Sequence, residues 1–207
     1  MSFDVYAGPL CCYYARAARS PTDPEQEAAR DLLPSIRGWQ RIIAPALRSA
    51  GVGHPEWDER IDAPTFTQDL THEGYWAVRL VAAYAQFDDL AEPPNPPTID
   101  SLAGDPALAR LRSHESRSRF AHVHACEAWL PLRIAEPISL EMPSGRTHPV
   151  GGVEMLKAEL AALQRVLIEG TSANASPSRT IARGALDTWH ALAETALRSR
   201  VPVMLDY

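Results

Sequence analysis

Lysine is nearly missing from this chain. Lys157 is the only one, and the other 19 basic residues are arginines. Arginine forks suit carboxylate pairing and flat contact surfaces, although a GC-rich coding bias gives the same pattern without any function. Cysteine is scarce as well. Cys11, Cys12 and Cys126 are odd in number and two are adjacent, which excludes a disulfide framework and points to reduced thiols. No apolar run approaches the roughly 18 residues of a helical membrane span. No N-terminal stretch joins a basic segment to an apolar core, so a cytoplasmic protein is expected. Positive charge is in deficit, with a formal net charge of −6. That opposes nucleic-acid binding, which needs a basic surface. The chain also lacks a G-x-S-x-G elbow, a P-loop, a G-x-G-x-x-G turn and an H-E-x-x-H helix. It has no internal repeat, and no biased tract beyond the prolines at 93–97.

What remains is ordinary globular material. The chain has 207 residues, 45% apolar and 22% charged, and one hydrophobic core serves a chain of that length. A single domain over 1–207 is expected. Alternation predicts a first strand from Phe3 to Gly8, while Leu10 to Arg19 fits strand or helix. Asp23, Pro24 and Gln26 read as a helix start. From Glu25 to Ala50 an apolar stripe (Leu32, Leu33, Ile36, Trp39, Ile43, Leu47) predicts a helix, broken into two or three pieces at Pro34 and Pro45. His54 to Leu70 reads as a long surface loop, held to the core by Trp57 and Phe66. Helical spacing resumes from His72 to about Leu90, and the prolines at 93–97 form a stiff connector. Asp105-Pro106 opens a short helix.

The stretch from Phe120 to Gly152 lies between helical parts. Phe120 to Cys126 fits helix or strand. Ala128 to Ile134, Pro137 to Met142 and Arg146 to Val150 read as strands, with a turn at Pro143-Ser144-Gly145. Gly151-Gly152 then releases a helix from Val153 to Glu169, capped by Gly170. A last helix covers Ser178 to Arg200. Val201 to Tyr207 predicts a terminal strand paired with the first one. The fold class is α+β: several helices packed around a small, mainly antiparallel sheet.

Several groups of residues suggest chemistry. His122, His124 and Cys126 form H-x-H-x-C. On a strand all three share a face and could hold zinc, with Glu127, His114 or His148 as a fourth ligand. That pattern would support a small metal-dependent hydrolase. A cysteine nucleophile paired with His122 or His148 is a further arrangement, against the commoner buried cysteine. Glu56, Trp57, Asp58, Glu59 and Asp62 place a tryptophan among acids, a pattern suited to a basic protein partner if the ring is exposed. Asp88, Asp89 and Glu92 oppose the dipole of the helix they follow. Trp76, Tyr84 and Trp129 are candidates to line a small-molecule pocket.

The ends of the chain, Met1-Ser2-Phe3-Asp4-Val5-Tyr6-Ala7-Gly8-Pro9-Leu10 with Tyr13-Tyr14, and Pro202-Val203-Met204-Leu205-Asp206-Tyr207, resemble a group of uncharacterised bacterial cytosolic proteins. Gly74 to Ala77, Ala82 to Ala85 and Trp129-Leu130-Pro131 fit the same resemblance. Cys11-Cys12 departs from it, since polar residues are expected there. Proteins of this size and charge are similar in type to immunity proteins of contact-dependent toxin systems. With that analogy of type, the acidic charge, the lack of a catalytic motif and the aromatic and acidic loop at His54 to Leu70 point to an intracellular, non-enzymatic binding protein that occludes a cognate toxin. It assigns no catalytic residue.

Overall fold

A computed structural model describes residues 3–18, 25–87, 89–90, 102–113, 118–169 and 177–206. The helix start at Asp23-Pro24, the proline connector at 93–97 and the Gly170 cap lie outside the described residues. The architecture is α+β, with helices on both faces of one six-stranded, mostly antiparallel sheet.

The terminal strands pair as expected. β1 (Asp4–Ala7) lies antiparallel to β6 (Val203–Asp206), with Asp4 opposite Asp206 and Ala7 opposite Val203. β6 also pairs with β3 (Ala128–Leu130), so the last strand sits inside the sheet. β3 runs parallel to β5 (Thr147–Gly152), which forms a hairpin with the edge strand β4 (Ile138–Glu141). The opposite edge is β2 (Phe66–Asp69), paired only with β1. β2 lies inside the stretch expected to be loop. All four of its residues are exposed, so no burial alternation marks it as a strand.

Period-two alternation divides the core into two layers. Val5, Ala7, Trp129, Val203 and Leu205 face α3 (His72–Tyr84), α6 (Val153–Glu169) and α7 (Pro177–Ser199). Tyr6, Ala128, Leu130, Leu140, Val150 and Met204 face α1 (Leu10–Ala18) and α2 (Glu25–Ser49). α4 (Pro106–Arg112) extends the first layer by packing Leu108 and Leu111 against Leu80, Ala83 and Tyr84. Asp105 accepts the Leu108 amide at 2.9 Å and so caps this helix as its spacing predicts.

α2 departs from expectation, since it is one helix of 25 residues that runs through Pro34 and Pro45. Both prolines are exposed, while Ile36, Trp39, Ile43 and Leu47 are buried on the other side. Burying four such side chains is worth on the order of 6–12 kcal/mol, against about 6 kcal/mol for two interior prolines. Trp39 also donates its indole N–H to the Glu141 carbonyl at 2.6 Å, tying α2 to β4. α3 ends at Tyr84 rather than near Leu90.

The two glycines that close β5 permit close approach of neighbouring groups. A Cβ on Gly152 would meet the Leu132 carbonyl oxygen at 2.5 Å and the Ile134 nitrogen at 2.7 Å. A Cβ on Gly151 would meet His122 at 2.5 Å and both Cys126 and Trp129 at 2.9 Å. The backbone beside Gly152 cannot yield as a flexible side chain would. Gly152→Ala is therefore expected to lower stability by about 1–3 kcal/mol, read as a fall in the urea midpoint. An unchanged midpoint would show that residues 132–134 are not held against β5.

Candidate functional site

The acidic loop does not present its tryptophan. Trp57 is 5% exposed and Glu59 is 2% exposed. The Trp57 ring packs edge-on against Trp39 at 5.9 Å. Its N–H donates to Glu59 Oε2 at 3.0 Å, and the Cys11 amide donates to Oε1 at 2.9 Å. Glu59 thus satisfies an orphan amide in the first turn of α1 and fixes the loop to it. Burial raises its carboxyl above the usual range, against the amide and indole bonds that lower it. Glu56, Asp58 and Asp62 are exposed. Glu56 pairs with Arg48 at 3.0 Å and Asp58 with Arg60 at 3.1 Å. Trp57 thus holds the loop to the core as expected, whereas Phe66 lies exposed on β2, and the reading of Trp57 as an exposed partner-binding anchor is overturned. Asp89 pairs with Arg110 at 2.8 Å, while Asp88 and Glu92 lie outside the described residues.

The H-x-H-x-C run is helical, not extended. His122 and His124 lie on α5 (Ala121–Ala125), and Cys126 follows as its C-terminal flank. Residues two apart on a helix point to nearly opposite sides. His122 faces Glu159 and β5, with Nδ1 at 2.8 Å from Glu159 Oε1 and Nε2 at 3.0 Å from the Ile134 carbonyl. Cys126 packs on the same side against Gly151. His124 faces α3 instead, where Arg79 donates to its backbone carbonyl. The shared strand face expected of a three-residue metal site is thus absent from the fold. Among the described residues no group of three His, Cys, Asp or Glu side chains is placed to hold a metal ion. His114 lies outside the described residues. Glu127 and His148 are paired with each other at 3.1 Å.

The thiols are buried. The bond with Cys12, followed by burial, holds the Cys11 thiol well above its ordinary value. Burial followed by the charge of Glu159 does the same for Cys126. Both stay protonated near neutral pH, which removes the nucleophilic thiolate. The pocket expected around Trp76, Tyr84 and Trp129 does not form as a unit. Trp129 is fully buried against Trp189, with its N–H bonded to the His122 carbonyl at 3.0 Å. Tyr84 belongs to the cluster under α4 and donates to Asp105 Oδ2 at 3.0 Å.

The structure does assemble a polar cleft of about 390 Å³. Tyr13 and Tyr14 enter it from α1, Glu127 precedes β3, Arg146 and His148 come from the start of β5, and Asp206 ends β6. Strand parity explains its position. His148 lies two residues before Val150, so it shares the sheet face that α1 covers. Gly145, at φ 78°, makes the turn that brings Arg146 and Ser144 to the rim. The Tyr14 hydroxyl bonds Ser144, and burial raises its phenol above the ordinary value despite that bond. The Arg146 and Asp206 side chains have no partner among the described residues. Only Tyr13-Tyr14, Glu127 and His148 stood out in the sequence. Arg146 and Asp206 carry no local signal, because only the sheet register brings them together.

A larger cavity of about 560 Å³ lies on the other face, beside His122, Glu159, Arg119, Glu136 and Met155. Its buried polar groups are already used. Glu159 accepts the His122 and Val123 amides at 3.2 and 3.0 Å, as well as the His122 ring. The Ile134 carbonyl can only accept, so Nε2 donates to it. These bonds join α5, residues 132–134 and α6. The smaller cleft keeps polar groups that have no partner among the described residues.

His124 is 5% exposed, and neither ring nitrogen has a hydrogen-bond partner of normal geometry among the described residues, the Ala82 backbone being the near polar group. Burial, then the Arg79 charge, lowers its pKa from 6.5 to about 3. The unfolded chain binds this proton more readily. The associated stability is therefore complete above the unfolded value and is lost as pH falls from 6.5 toward about 3. The loss approaches roughly 1.4 kcal/mol per pH unit. Between pH 7.5 and 4.5 the urea midpoint of the wild type should fall relative to that of His124→Leu as pH falls. Parallel profiles would contradict this role.

No protein-family model, curated protein or solved structure matches this chain.

Proposed function

We propose that this chain is a cytoplasmic, non-enzymatic binding protein of the immunity type, which engages a basic segment of a toxin through the cleft between α1 and the hairpin. The carrying observation is the cleft itself, where two half-buried tyrosines sit beside Glu127 and Asp206, whose side chain has no partner among the described residues. Carboxylates accept from a guanidinium or ammonium, and tyrosine rings supply flat contact area at low entropic cost. The net charge of −6 favours encounter with a basic partner. Among the described residues no helix is long and apolar enough to cross a membrane. The buried thiols and the His122–Glu159 pair are committed to the fold, which favours binding over catalysis.

The cleft volume also fits a small polar molecule, and this is the second reading. Both readings meet in one experiment. The product of the adjacent gene is expressed with and without this chain, and growth and complex formation are followed. The toxin reading expects growth arrest relieved by the wild type. It also expects relief to weaken at least tenfold in dose for Tyr13→Ala/Asp206→Asn, with folding retained by circular dichroism. Failure of both rescue and complex formation, with a small molecule released on denaturing the purified protein, would replace it with the second reading.

A further inference from the structure

The positive charge of this acidic chain is unevenly placed. From Leu32 to Pro55 there is no aspartate or glutamate, while Arg37, Arg41 and Arg48 all occur there. Their spacings of four and seven residues are close to whole helical turns, so the three guanidinium groups share one face of α2. They line a groove of about 280 Å³ with Gln40, Pro55 and Glu56. The groove is apart from the tyrosine cleft and shares no lining residue with it.

Hydrogen bonds to the loop hold the groove open. Arg37 Nη2 donates to the Glu59 carbonyl at 3.2 Å, and Gln40 Nε2 donates to the Trp57 carbonyl at 3.2 Å. Arg48 Nη2 donates to Glu56 Oε1 at 3.0 Å. A guanidinium has five N–H donors, so Arg37 and Arg48 each keep most of theirs. Arg41 is exposed and has no partner among the described residues. The burial of Trp57 and Glu59 serves this face too, because it fixes the loop carbonyls that Arg37 and Gln40 grip.

We propose that this groove binds the phosphate group of a small phosphorylated molecule. Three arginines against one carboxylate leave a surplus of positive charge, and planar forks match phosphate oxygens in pairs. A nucleic-acid strand fits poorly. The groove is too short to follow a backbone, and a net charge of −6 repels an extended polyanion. Glu56 is a built-in competitor: it occupies Arg48 when the groove is empty and must yield to the ligand.

Inorganic pyrophosphate is the probe, titrated by calorimetry at low, chloride-matched ionic strength. Arg37→Ala and Arg41→Ala should each weaken binding about tenfold, and Glu56→Gln should strengthen it several-fold by removing the competitor. Arg60→Ala removes an equal charge outside the groove and should leave affinity within about twofold. All four side chains are exposed, and thermal melts confirm folding. Absence of binding by the wild type, or equal losses for Arg60→Ala and Arg41→Ala, would overturn the proposal.

Discussion

The structure depends on the insertion of β6 between β1 and β3. Without it the sheet would divide into β2-β1 and β3-β5-β4, with no hydrogen bonds joining them. Both backbone edges of this strand are occupied, and its side chains serve both layers. Val203 and Leu205 enter the layer under α3 and α7, while Met204 enters the layer under α1 and α2. Further bonds fix its position: the Gly8 amide donates to the Pro202 carbonyl at 3.0 Å, and the Leu205 amide to the Glu127 carbonyl at 2.9 Å. The second of these also sets the cleft, since it places Glu127 beside the end of β6 and Asp206.

A second constraint is polar and buried. His122 and Glu159, both buried, join α5, α6 and residues 132–134 through four hydrogen bonds. Such a network specifies one arrangement because losing a partner leaves another group unsatisfied. Gly151 and Gly152 are required by the same closeness. His124, two residues from His122, has no such satisfaction, and the fold keeps it neutral. The same short helix therefore contains one histidine that fixes the structure and one that makes it acid-sensitive.

Much of the framework was legible in the sequence. The alternation in Phe3 to Gly8 and the apolar run opening Val201 to Tyr207 marked two terminal strands, and pairing the chain ends was the simplest use of the second. The stripe in Val153 to Glu169, with Leu156, Leu160 and Leu163 fully buried, announced its helix. The parts that were not legible depend on distant partners. β2 has no buried residue to reveal it. The prolines of α2 face water, so their local cost is outweighed by a stripe on the other side. The acids around Trp57 suggested an exposed anchor, although the same ring was expected to hold the loop to the core. One of those acids, Glu59, is the partner that allows the indole to be buried. The H-x-H-x-C run looked like a ligand set only if it was a strand. Glu159, which decides the role of His122, is 37 residues away. The cleft draws on α1, β3, β5 and β6, so no local pattern could have assembled it.

Hydrogen exchange of the chain, alone and with the product of the adjacent gene, tests the placement of the binding site most directly. Binding at the cleft predicts new amide protection around Tyr13-Tyr14, across Met142 to His148 and at the end of β6, with little change over residues 54–62. Protection confined to residues 54–62, or to the exposed face of α2, would contradict it.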